Sequence, residues 1–387
     1  MQQWKLRVNA GEHSRIGCPV VANLGGVAAT FESLMLTEER SGRRVPCQGG
    51  TGPQGQVMLH WMLDVLEAGE SRDYIVKPCD APTHTAEVQL KDDGSKVDVT
   101  IGGDPFTAYY YDAKWVRPFL WPVVGPFGDP VTRGYPMVAD VEGEKHDHHH
   151  QKSLYTAFGD VNGVDDWSEE EGHGGIVHKG FTQFRGGPSA AVLQAANDWV
   201  GKEGKRVLSE QRTMIFYNLL PCTEKMVDFT VHFRADDGQV KIGDTKEGGI
   251  LAVRVATTMD EDSGLGGKIE NSFGGIGERE TWGKPAHWCD YSGPVSGRRV
   301  GIAVMDHPSN LRHPTGWHVR AYGLMTANCF ADSFYENDPT KDGSYVIPAG
   351  GELVFRYRLL IHRGDAAVGR VAQRYHDFIN PPRVEVL

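Results

Sequence analysis

The chain has 387 residues, 40% of them hydrophobic, and a formal net charge of -11. That is enough apolar content for one large or two medium folded domains, and the acidic balance argues against nucleic acid and anionic membranes as partners, which require a basic surface. A small neutral ligand or a metal cation fits better. No run approaches the roughly 20 apolar residues of a spanning helix, and the most apolar stretch, VRPFLWPVVGPF, is broken by prolines.

The start, MQQWKLRVNAGEHSR, lacks the basic-then-apolar pattern of a signal peptide. Six scattered cysteines with no CxxC pair predict reduced core thiols in a cytoplasmic protein, with a secreted form whose leader was trimmed as the alternative. Strand signals then follow one another along the chain. QVMLHWML, AEVQL and KVDVTI across a DDGS turn, TMIFYNLL, VDFTVHF, ILAVRVATTM, RVGIAVMD, HVRAYGLM and ELVFRYRLLIH are rich in β-branched and aromatic residues and are bounded by turn residues. Helix-strand alternation is missing, so the fold class expected is all-β: a large, mostly antiparallel sandwich with few short helices. One helix is expected over 364–379, capped by Asp365, with Val368, Val371, Ala372 and Tyr375 on its apolar face. A change of texture near Gly102 divides a plainer region 1–101, which could belong to the same sandwich, from 102–387, where the chemistry-bearing residues crowd.

The densest of these is KHDHHHQKS, residues 145–153. Read as extended chain, it places His146, His148 and His150 on one face and Asp147 and His149 on the other. Alternate histidines on a strand supply nitrogen ligands to a divalent metal such as zinc, manganese or iron; a solvated loop is the plainer reading. SLYTAFGDVNGVDDW follows, with Asp160, Asn162, Asp165, Asp166 and Trp167. Amides, carboxylates and indole suit sugar hydroxyls and an apolar sugar face, while Asx-turn chemistry with a core Trp explains the same residues. Farther on, Glu278, Glu280, Trp282, His287, Trp288 and Asp290 crowd a Gly-rich loop of the kind that builds pockets at sandwich rims. In MDHPSNLRHPTGWHVRAYG, His318 and Arg320 share one strand face and Trp317 and Val319 the other, so a titratable and a cationic group project together.

Five ordered blocks, RPFLWPVVGPFGDPVTRGYPM, DHHHQKSLYTAFGDVNGVDDW, GDTKEGGILAVRV, WGKPAHWCDYSG and DHPSNLRHPTGWHVRAYGLMTANCF, resemble the bacterial methane oxygenase A-like family over roughly 104–377. The resemblance implies a galactose mutarotase-like supersandwich and a place in carbohydrate catabolism. Methane oxidation by a membrane copper enzyme is rejected, because no spanning segment exists. The family's usual Asp-His-Pro-His-His-Arg-Ser-Leu, matched at Ser153 and Leu154, aligns its histidines with His148 and His150. Gln151 and Lys152 replace its last histidine and its arginine.

The expectation is therefore a carbohydrate-active enzyme that cleaves an oxidised sugar, such as a 3-keto-glycoside, by β-elimination or hydrolysis. His148 is read as base, His318 as acid and Arg320 as enolate stabiliser. Arg133, Asn162, Asp165, Trp167, Asp290 and Trp317 are read as substrate-binding. A possible divalent metal (Zn, Mn, Fe or Ca) would be held by His148, His150 and His178; no nucleotide cofactor is expected. The alternatives are an aldose epimerase, with Asp290 or Glu280 as base, and a noncatalytic carbohydrate-binding protein. A homo-oligomer is possible.

Overall fold

The computed structural model describes residues 3–26, 33–52, 54–79, 84, 87–219 and 221–387. About half the chain is strand and about 6% helix, and every pairing between the described strands is antiparallel. The all-β expectation holds.

Two eight-stranded sheets form the main sandwich. The front sheet runs Trp317–Arg320, Leu324–Ala327, Gly248–Arg254, Leu154–Phe158, Phe119–Leu120, Asp104–Tyr110, Lys96–Ile101, Val88–Asp92. The back sheet runs Gly175–Arg185, Ala190–Val200, Arg206–Tyr217, Lys225–Arg234, Glu352–Arg363, Arg298–Asp306, Trp288–Val295, Lys268–Asn271. The long back strands bury alternate residues, as in Ala190–Val200, because period-two side chains meet the core on one face only. Between the sheets lies one continuous core that includes Trp199, Phe229, Phe355, Trp317 and Val319.

A second, smaller sandwich precedes it. Its five-stranded sheet (Arg383–Val386, Trp4–Asn9, Ser71–Cys79, Ser33–Glu38, Arg44–Val45) faces a three-stranded one (Arg15–Gly25, Val57–Leu66, Cys47–Thr51) around Leu6, Leu36, Leu59, Trp61 and Val76. The join between the two units therefore falls between Cys79 and Val88, earlier than the boundary expected at residue 101. Val88, Val97, Val99 and Ile101 bury into the main core, and their strands pair with the front sheet.

The helix near the end is shorter than expected, Val371–Ile379. Gly369 lies against the ring of His362, where a Cβ would stand 2.3 Å from Nδ1, and Arg370 takes a left-handed φ of 52°. Turns therefore occupy the segment before residue 371, and Val368 is 64% exposed instead of packing on the sheet. Among the described residues, no helix is long and apolar enough to cross a membrane.

Several front strands, Leu324–Ala327 among them, break the alternating pattern. Leu154–Phe158 and Gly248–Arg254 are buried at every position, so their outer face is covered as well as their inner one. Trp317, expected to bind substrate, points the other way: it is 0% exposed in the main core, and its indole N–H donates to the Ala286 carbonyl at 3.0 Å. Trp317→Ala should cost about 3–5 kcal/mol of stability by opening a core cavity, read as a lowered denaturant midpoint. A variant of wild-type stability would return Trp317 to the surface.

Candidate functional site

What covers the front sheet is a second aromatic layer and a polar loop. Tyr155, Ala157, Ala252 and Leu324 project outward and pack with Phe119 and Trp167, bordered by Tyr110, Trp115, Trp121 and Tyr322. Outward phase also falls on Arg254, His318 and Arg320, because Val253, Trp317 and Val319 fill the inner core. The expected sharing of one face by His318 and Arg320 is thus met.

The histidine segment lies over this layer, but not as a strand. His148 adopts φ 42°, and the Gln151 N–H donates back to the His148 carbonyl at 2.9 Å, closing a turn. Period-two geometry fails, and His146 leaves the group to stack on Tyr135, 4.6 Å between centroids.

Buried guanidinium groups impose the turn. Arg133, 0% exposed, donates to the carbonyls of Lys145, Asp147, His148 and Gln151 and to Asp147 Oδ1 at 2.5 Å. Arg254 donates to Gln151 Oε1 at 2.7 Å and Asp147 Oδ1 at 3.0 Å. Arg117 donates to the carbonyls of His150 and Trp167 and pairs with Glu169 at 3.1 Å; Lys152 also pairs with Glu169. Lys145 bridges to Asp260 and Asp262, anchoring the start of the loop. Arg133, expected to bind substrate, instead holds this loop through its two terminal nitrogens, while its Nε is buried with no hydrogen-bond partner among the described residues.

The clamp brings two imidazoles, His148 and His150, together over the sheet face that carries a third, His318. His148 stacks on Tyr322 at 4.8 Å, nearly parallel, and its side chain is 39% exposed. Asp147 Oδ2 lies 3.3 Å from its Nδ1. His150 is 5.7 Å from His148 and 5.5 Å from Trp167, with Nε2 buried and unpartnered. Burial, and then the charge of Arg117, push His150 down to about 3. His318 is 3% exposed, and its Nδ1 lies 2.7 Å from the Lys246 carbonyl, which fixes the tautomer with Nδ1 as donor and the lone pair on Nε2. Burial pushes it to about 3 against the pull of that carbonyl, with Arg320, Lys246 and His148 acting the same way as burial. Arg320 meets Glu278 at 3.1 Å at the rim.

Other expected residues lie elsewhere. His178 packs with Tyr111 and Phe181, 4.6 and 4.5 Å away, and no ring contact joins it to the loop histidines, so the set His148, His150, His178 is not assembled. Among the described residues no three His, Cys, Asp or Glu side chains are disposed to hold a metal. Asp290 is fully buried with its Oδ2 2.6 Å from Nε2 of the equally buried His362, a core pair out of reach of substrate. Asn162 (φ 55°) ties a turn to Lys241 at 2.7 Å and to the Gln239 carbonyl. Asp165 accepts from the Trp167 and Ser168 amides and the Ser168 hydroxyl. Asp165 is an Asx-turn residue, whereas Asn162 sits in a turn and ties it to a distant strand. Trp167, 1% exposed, is flooring under His150. Sequence reasoning missed Arg117, Arg254, Gln151, Tyr155 and Tyr322. The arginine inside the apolar run ILAVRV was the signal for one of them.

Neutral, buried histidines carry a pH consequence. The unfolded chain binds protons on His150 and His318 below about pH 6.5, whereas the folded chain resists until about 3, so acidification through that window favours unfolding. His318→Gln should therefore take up about one proton fewer on unfolding near pH 5, measured as a shallower fall of stability between pH 6.5 and 4. Identical pH slopes for the two proteins would show that His318 titrates normally.

Comparison with known proteins adds one relationship. No curated protein matches the chain. Residues 96–376 match a family of unknown function, DUF6807, over the main sandwich from the strand Lys96–Ile101 into the helix Val371–Ile379, leaving out the small N-terminal sandwich. The chain belongs to the DUF6807 family of unknown function.

Proposed function

We propose that the covered outer face of the front sheet is the active site of a carbohydrate-active enzyme that cleaves an oxidised sugar, such as a 3-keto-glycoside, by β-elimination. The observation that carries the reading is His318. It is neutral, its Nδ1 is held by a backbone carbonyl and its Nε2 lone pair is left over, beside the guanidinium of Arg320 on the same strand face. A ketone acidifies the neighbouring C–H. His318 Nε2 would take that proton, Arg320 would stabilise the enolate oxygen, and the electron pair would then form the new C=C bond as the glycosidic C–O bond breaks. The leaving oxygen needs a proton, and His148, the exposed member beside Asp147, would give it.

These roles reverse the expectation from sequence, in which His148 was base and His318 acid. A histidine held at about 3 carries no proton to donate near neutrality, while developing enolate charge beside it favours proton capture. Tyr322, stacked between His148 and the guanidinium of Arg254, would offer the sugar an aromatic edge.

His318→Ala and His148→Ala should each lower kcat on a 3-keto-glycoside by about 10²- to 10⁴-fold with a smaller change in KM. Arg320→Lys should also be impaired, because an ammonium does not reproduce the planar fork. Calorimetric binding without turnover, undisturbed by these changes, would make the protein a carbohydrate-binding module instead.

A further inference from the structure

A different histidine pair, His287 and His313, packs beside the C-terminal helix. The segment 306–315 carries Asp306, His313 and Thr315, and His287 and Tyr375 reach it from the Gly-rich loop and the C-terminal helix. His313 Nδ1 is 2.7 Å from Asp306 Oδ2, and Asp306 is fully buried, fixed by the Thr315 N–H at 3.0 Å and the Asn310 amide at 2.7 Å. With Nδ1–H committed to the carboxylate, His313 presents its Nε2 lone pair. Facing it at 3.1 Å is Nδ1 of His287, and the Tyr375 hydroxyl is 3.5 Å away.

We infer that His313 Nε2 and His287 Nδ1, with the Tyr375 hydroxyl as a third donor, bind a divalent transition-metal ion such as Zn²⁺. A histidine whose far nitrogen donates to a well-held carboxylate is the usual arrangement behind a metal ligand, since the carboxylate fixes the tautomer and raises the basicity of the other nitrogen. Spacing agrees. Two nitrogens each about 2.0–2.1 Å from a tetrahedral ion stand roughly 3.3 Å apart, close to the separation already present. Proton balance is simple: the proton that His287 Nδ1 shares with His313 moves to Nε2 of the same ring, which has no bond to a described residue. Two nitrogens and an oxygen select Zn²⁺, Cu²⁺ or Ni²⁺ over the hard cations, and water would complete the shell. Phe273, 65% exposed, lies with its ring tilted and 5.0 Å from that of His287, leaving an apolar lip beside the site. This pair is independent of the loop histidines.

The test titrates full-length, chelator-stripped protein with Zn²⁺ by calorimetry. One ion per chain is expected, lost in His313→Gln and His287→Gln, and weakened about 10- to 100-fold in Asp306→Asn. His148→Ala should bind Zn²⁺ as wild type does. His287 is partly exposed, so its Gln variant separates lost binding from lost fold, and unchanged thermal unfolding without metal checks this. In wild-type protein the His287 and His313 ring resonances should shift together on adding Zn²⁺. The inference is overturned by absence of saturable binding, by binding that survives both Gln variants, or by binding that disappears with His148→Ala.

Discussion

The guanidinium of Arg133 is the constraint on which the candidate site depends. It is wholly buried, yet most of its donors point at carbonyls of one short segment, so the backbone from Lys145 to Gln151 is wrapped around a fixed charge. Arg254 and Arg117 extend the same device, with Asp147 and Glu169 as counter-charges. Burying such groups is costly unless each is fully hydrogen-bonded, and replacing one partner leaves the rest stranded. The loop is therefore held in one arrangement by groups whose alternative is an unsolvated charge. Burial pushes Arg133 below the ordinary arginine range and Lys152 down to about 8, which marks how dry this layer is.

That dryness propagates to the sheet beneath. An outer sandwich face is commonly wet on one side, and alternation then leaves polar residues outside. Here Leu154–Phe158 and Gly248–Arg254 are covered on both faces, and Tyr155 sits under Arg117 with its ring 5.8 Å from the guanidinium carbon. The same cover desolvates His150 and His318 while leaving His148 at the opening. The two buried imidazoles are thereby disfavoured as cations, whereas His148 keeps its access to solvent.

The strands were legible because alternation is local: one face buries, and the pattern repeats every two residues. Assignment of a strand to a unit was not local. Val88–Asp92 resembles the earlier strands in composition, and only its pairing with Lys96–Ile101, itself paired with Asp104–Tyr110, puts it in the main sandwich. Asp165 follows the turn chemistry that competed with sugar binding from the outset, while the Asn162 side chain is spent on a strand 79 positions away, a partner no local pattern announces. The turn in the histidine run was not written in the run itself, because what bends it are guanidinium groups outside it, from Arg133 at 12 positions to Arg254 at 107. Asp290 was misread for a similar reason: nothing near it in sequence announces His362, 72 positions away.

The two histidine groups also differ in what fixes them, and this bears on what each can do. His318 is held by a carbonyl, a neutral acceptor whose pull toward the cation is smaller than the cost of burial, so burial prevails. His313 is held by a buried carboxylate, which raises the electron density at the far nitrogen. A carbonyl-held imidazole suits a step in which a proton arrives and leaves. A carboxylate-held one suits a lasting positive partner, whether a shared proton or a metal ion. The two imidazoles thus differ in the atom on the other nitrogen, a backbone carbonyl on the front sheet and a buried carboxylate beside the C-terminal helix.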